Sequence, residues 1–155
     1  MNKKELIESL KARGFSDKII KVFEKVLREN YIPEGLRKYS YEDEALPLEA
    51  GATISQPYTI AFMLNLLELK KKEKILEIGS GSGYVLALLS EITRGKIYGV
   101  EISKNLASKS KKILRNYKNI KVYLGNGFEG LKEKEPFARI LISAAAEKIP
   151  EHLFS

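Results

Sequence analysis

The ten residues Ile75 to Tyr84 read I-L-E-I-G-S-G-S-G-Y, an acid followed two positions later by alternating glycines. Glycine lets backbone and ligand approach closely, so an apolar run, a glycine turn and a helix together build a nucleotide-type site. The spacing narrows the ligand. A dinucleotide fingerprint is G-x-G-x-x-G, with the pyrophosphate on the helix N-terminus. Here the pattern is E-x-G-x-G-x-G, and Glu77 would repel a pyrophosphate but suits a ligand that carries an ammonium and a sulfonium. That favours S-adenosyl-L-methionine, held at Glu77, Gly79, Ser80, Gly81 and Gly83. A second apolar run, Ile97-Tyr98-Gly99-Val100, ends in Glu101, roughly twenty residues beyond the turn, where α/β nucleotide sites place a ribose-binding acid. Glu101 serves methyltransferases and dehydrogenases alike. Glu77 and the tighter glycine spacing make the distinction.

These residues need strands and helices to hold them, and the periodicity supplies both. Asn2 is placed to cap a first helix with Glu5 completing a capping box. From Asp17 to about Glu29, Ile19, Val22, Phe23, Val26 and Leu27 share one helical face. Residues 31–57 are irregular, with Pro33, Gly35, Pro47, Gly51 and Pro57; so long a loop in a small domain is functional or disordered, and its apolar content argues for function. A helix from Tyr58 to Leu69 follows, expected to bury Phe62, Met63, Leu66 and Leu67. Strands near 74–78, 96–101, 120–125 and 139–145 then alternate with helices near 83–92 and 103–116, which predicts a parallel sheet covered on both sides. Pro150 reads as the first position of a further helix.

Composition sets the outer limits. With 155 residues, 44% hydrophobic and 30% charged, the chain suits one soluble globular domain. It has no cysteine, which excludes disulfides and thiol catalysis and suits a cytoplasmic setting; no metal is expected. No apolar stretch reaches the length of a membrane span. The net charge of +7 raises nucleic acid as a partner, but the lysines interleave with glutamates, as helix faces in water do.

Several segments outside the glycine turn carry a resemblance. Ala45-Leu46-Pro47 and Gly51-Ala52-Thr53-Ile54-Ser55-Gln56-Pro57 resemble the protein-L-isoaspartate O-methyltransferases, in which the T-I-S-Q-P element is far more restricted than the cofactor loop. Tyr41 and Asp43 precede Leu46-Pro47 in the family's order. Gly125-Asn126-Gly127 with Gly130 stands where the family has G-D-G-x-x-G, and Pro136-Phe137, Ile142 to Ala146 and Ile149-Pro150 match its fourth-strand region. The likeness runs from about Arg28 to the end of the chain.

The resemblance implies a Rossmann-like class I methyltransferase sheet, order 3-2-1-4 when its strands are counted from the glycine turn, with an N-terminal helical cap. Residues 1–57 would form cap and substrate loop, and 58–155 the cofactor-binding core. It implies methyl transfer to the α-carboxylate of L-isoaspartyl residues in damaged proteins. Ser55 would orient that carboxylate, with Thr53 and Ile54 shaping the pocket, and Asn126 and Gly127 would meet the adenine. Read without the family, Ser55 caps the helix beginning near Tyr58. Tyr39, Tyr41 and Tyr58 are candidate cleft residues. Ala138-Arg139 departs from the family, which usually has an acid after Phe137. Family members continue with further strands, so a fragment or truncated product is expected, with residues 139–145 exposed as an edge that could pair with another chain. Two other functions stay open: a cofactor-binding fragment without activity, and a related methyltransferase acting on RNA or another substrate.

Overall fold

In the computed structural model, which describes residues 1–154, helix α1 (Lys3–Ala12) begins at the expected capping box. The Glu5 N–H donates to the Asn2 side chain while the Asn2 N–H donates to the Glu5 carboxylate. Helix α2 (Asp17–Lys25) starts from a Ser16 cap and buries Ile19, Ile20, Val22 and Phe23. It stops short of Glu29 because Val26 turns extended and a 3-10 turn, Arg28–Tyr31, follows. Leu27, expected on the buried face, is consequently exposed.

The irregular segment is ordered by a second 3-10 turn, Glu34–Tyr39, and by a short antiparallel ladder. Its two strands are β1 (Leu46–Pro47) and β2 (Thr53–Ile54). Helix α3 (Pro57–Leu66) then opens with proline at its first turn, where the missing N–H costs nothing. It buries Pro57, Ile60, Ala61 and Leu64, not the expected face: Phe62 and Leu66 are exposed, Met63 and Leu67 half-buried. A helix that is apolar all round fits several faces at 3.6-residue spacing, and tertiary packing makes the choice.

The sheet has four parallel strands: β3 (Ile75–Ile78), β4 (Ile97–Glu101), β5 (Ile120–Leu124) and β6 (Arg139–Ile142). Helices α4 (Tyr84–Ile92) and α5 (Lys104–Ile113) connect the first three. The spatial order β5-β4-β3-β6 is the expected 3-2-1-4, a Rossmann-like arrangement. Both faces are covered, but unequally. Ile75, Ile97 and Val122 enter a core shared by all five helices, in which Leu6 and Phe23 join Ile60, Leu86 and Ala107. Leu76, Ile78, Tyr98 and Val100 point to the opposite face, closed by Phe128, Leu131, Phe137 and Leu153 from 3-10 turns and extended segments.

Strand β6 ends at Ile142, not 145, and only its Leu141 is fully buried, as suits an edge strand. After Pro150 the chain makes a 3-10 turn, Glu151–Phe154. Among the described residues no helix is long and apolar enough to cross a membrane.

Candidate cofactor and substrate site

The register of the sheet fixes where Glu77 stands, opposite Gly99 on β4 and Leu141 on β6. Beyond Ile78 the chain turns through Gly79 and reaches α4 at Gly83, with φ of +77° and +85°. Both need glycine, since L side chains seldom adopt this left-handed region. At Gly79 a Cβ would also lie 2.7 Å from the Ala144 Cβ and 2.9 Å from its backbone nitrogen. The turn is fastened to β4: the Gly79 and Ser80 N–H groups donate to the Val100 carbonyl at 2.8 and 3.2 Å. The Gly81 N–H donates to Glu101 Oε2 at 2.7 Å, while Oε1 of the same carboxylate accepts from the Ser103 N–H at 2.8 Å. Glu101 therefore ties the glycine turn to the start of α5. A carboxylate offers about four acceptor positions, so ribose hydroxyls could still be served.

Glu77 is the least ordinary group in this region. It is 1% exposed, its Oε1 accepts from Ser143 Oγ at 2.7 Å, and its Oε2 has no hydrogen-bond partner among the described residues. Burial disfavours the anion and pushes this carboxyl up to about 8, against the Ser143 hydrogen bond, with Glu101 adding repulsion. A buried carboxylate with one open oxygen fits a ligand that carries a positive charge. Close by, Ser80 Oγ is also buried without a partner.

Glu77 and Ser80 line a hollow of about 30 Å³ together with Gly79, Gly81, Thr53, Ile54 and Ser55, so the predicted cofactor residues and the predicted substrate residues meet. Tyr84 and Ser143 line it too and were not singled out from the sequence. Ser55 does not cap α3. The cap position is Gln56, and the Tyr58 N–H donates instead to Asp43 Oδ1 at 2.8 Å. What holds Ser55 is Arg28, a wholly buried side chain whose guanidinium donates to the carbonyls of Ser40, Glu42, Glu44 and Ser55. No local pattern marks Arg28, because its partners lie 12 to 27 residues further on.

Other expected residues are placed differently. Asn126 is exposed, and its Oδ1, expected to reach an adenine amine, accepts from the Phe128 N–H at 3.1 Å. Gly127 is buried under the sheet, where a Cβ would come 2.3 Å from Ile78 Cγ2; packing alone demands glycine there. None of the three tyrosines lines the hollow: Tyr41 donates to Glu29, Tyr39 is exposed, and Tyr58 packs between Phe15 and Phe62 under Arg13. Arg139, which follows the departing Ala138, sits at the opposite end of β6 from Ser143. There it donates to the Leu67 carbonyl and pairs with Glu73 at 3.6 Å. The lysines pair across the surface, as in Lys11–Glu24, Lys25–Glu91 and Lys109–Glu49. No cluster of His, Asp or Glu suited to a metal ion occurs among the described residues.

Known proteins share this chain's sequence pattern and fold. The family model for protein-L-isoaspartate(D-aspartate) O-methyltransferase matches residues 1–155. A protein-L-isoaspartate O-methyltransferase of Petrotoga mobilis is 48% identical over 150 residues, covering 94% of this chain and 70% of that protein. A solved protein-L-isoaspartate O-methyltransferase superposes with a TM-score of 0.91 at 30% identity, over 99% of this chain and 51% of its own. A β-aspartate methyltransferase from Plasmodium falciparum, solved with S-adenosyl-L-homocysteine, gives a TM-score of 0.83 at 28% identity, over 99% of this chain and 78% of its own. The chain thus spans about half of the first of these structures and 70% of the Petrotoga relative.

Proposed function

The chain belongs to the protein-L-isoaspartate(D-aspartate) O-methyltransferase family, and from that premise we propose that it transfers a methyl group from S-adenosyl-L-methionine to the α-carboxylate of L-isoaspartyl residues, a step in repairing damaged proteins. The single observation that supports this most is the meeting of Ser55 with Glu77 and the glycine turn around one hollow. One side suits a cationic cofactor and the other carries a hydroxyl on a fastened loop.

The cofactor supplies an electrophilic methyl group on a sulfonium. The protein's part is to bind, align and exclude water. Glu77 Oε2 would accept from the cofactor's ammonium, Gly79, Ser80 and Gly81 would let it approach the backbone, and Glu101 would receive the ribose. A peptide α-carboxylate has a pKa near 3.5, so it reaches the site already ionised and needs no general base. Ser55 Oγ would donate to it and orient it toward the methyl group, while Thr53 and Ile54 bound the pocket. Rate then comes from alignment in a dry site. In this reading residues 1–57 provide the substrate side and 58–155 the cofactor side. The cytoplasmic setting read from the cysteine-free composition belongs to the same proposal.

The product's chemistry provides the test. A methyl ester releases methanol at alkaline pH, whereas a methylated base or amine does not. Base-labile label on an isoaspartyl peptide is expected; label only on RNA, stable to base, would overturn the proposal.

A further inference from the structure

Ser143 lies just beyond β6, and two contacts leave it little freedom. Its N–H donates to the Ile78 carbonyl at 2.8 Å, extending the β3–β6 ladder by one residue. The next residue, Ala144, packs so closely on Gly79 that no Cβ fits there. The hydroxyl is thereby aimed at Glu77 Oε1 from 2.7 Å, and Oε2 is left without a partner on a carboxyl that is 1% exposed. No other donor reaches this carboxylate among the described residues.

We propose that Ser143 is a positioning residue for the cofactor: its hydroxyl orients the Glu77 carboxyl and favours its ionised form, so that Oε2 can receive the ligand's ammonium. The inference deepens the S-adenosyl-L-methionine reading and rests on it for the ligand, but the Ser143–Glu77 pair exists without one. A lone hydrogen bond to a buried anion favours the charged form. The groups around Glu77 offer no substitute. Glu101 at the end of β4 repels the anion. Tyr84 on α4 lines the same hollow, with burial holding its phenol well above the ordinary range. Arg139 on β6 stands opposite Ile75, two register positions back, and pairs with Glu73. The carboxyl's position at about 8 agrees with this balance. Pairing of the ligand's ammonium with Glu77 would then displace the carboxyl's proton, so this pairing strengthens as pH rises until the amine itself loses its proton.

The test uses two readouts on wild type, Ser143→Ala and Ser143→Thr. The first is the carbon-13 titration of the Glu77 carboxyl in ligand-free protein, assigned with Glu77→Gln. Ser143→Ala should move the midpoint upward by about one pH unit, the size of one hydrogen bond to a charged group, and Ser143→Thr should restore it. The second is S-adenosyl-L-homocysteine affinity by calorimetry. Its amine titrates equally in every case, so the variants are compared at each pH. Ser143→Ala should bind about tenfold more weakly at pH 7 and only about twofold more weakly at pH 9. A titration unchanged by Ser143→Ala, or an affinity gap equal at both pH values, would overturn the proposal. If wild type binds no S-adenosyl-L-homocysteine, the cofactor reading fails, and the titration still decides whether Ser143 controls Glu77.

Discussion

Arg28 Nη2 donates to the main-chain carbonyl of Ser55 at 3.1 Å, and the same side chain donates to the carbonyls of Ser40 at 2.7 Å, Glu42 at 3.3 Å and Glu44 at 3.0 Å. One buried cation thus joins the end of α2 to both ends of the substrate loop. Removing it would strand one buried and three partly buried carbonyls, each costing on the order of 1–3 kcal/mol if it finds no water. Arg28→Met is expected to destabilise the protein by about 3 kcal/mol, read from urea denaturation. Arg28→Lys should recover part of this, because an ammonium offers three donors in place of a planar fork. A loss within about 0.5 kcal/mol for Arg28→Met would mean the loop is held by other means.

Glu77 places a functional group where it strains the fold. Its carboxyl is raised from 4.5 to about 8 in the native state. The native protein therefore binds more protons than the unfolded chain between those values, and stability falls as pH rises through that window. Glu77→Gln removes the cost. Without ligand it should be more stable than wild type at pH 8 by roughly 4 kcal/mol, with the difference fading toward pH 4. Denaturant melts at the two pH values check this. A difference that does not vary with pH would show that Glu77 titrates normally.

Gly79→Ala should be costly on two counts, the left-handed backbone and the overlap with Ala144. The displaced Ala144 carries Ser143 with it. Loss of about 2 kcal/mol in stability is expected, together with weaker S-adenosyl-L-homocysteine binding. A variant with native melting and native affinity would contradict the packing described here.

Gly127 separates a packing role from a cofactor role. A methyl group there meets Ile78 Cγ2, so Gly127→Ala should destabilise by about 1–3 kcal/mol. Adding Ile78→Ala should recover part of that loss in a double-mutant cycle. Strict additivity of the two substitutions would contradict a clash between the added methyl group and Ile78.

The sequence revealed those parts of the site whose chemistry is local. Glu77, Gly79, Gly81 and Gly83 fall within seven residues, and the strand–turn–helix around them follows from spacing alone. Thr53, Ile54 and Ser55 were legible through a restricted motif, and the structure brings them against Glu77. Ser143 and Arg28 were not legible as site residues. Ser143 meets Glu77 across 66 positions, and a buried arginine whose terminal nitrogens donate to carbonyls leaves no acidic partner to betray it. The face of α3 was misread because Phe62 and Leu66 are as apolar as the residues it buries.

The central claim is that Ser55 positions an isoaspartyl carboxylate against the cofactor held at Glu77. Its most direct test is methyl transfer to an isoaspartyl peptide beside its aspartyl twin, by wild type and Ser55→Ala, with S-adenosyl-L-homocysteine affinity measured on both. Wild type should methylate only the isoaspartyl peptide. Ser55→Ala should lose roughly 10- to 100-fold in kcat/KM, the worth of one hydrogen bond to a carboxylate, with cofactor affinity unchanged. Equal labelling of the two peptides, or full activity without the Ser55 hydroxyl, would contradict the account.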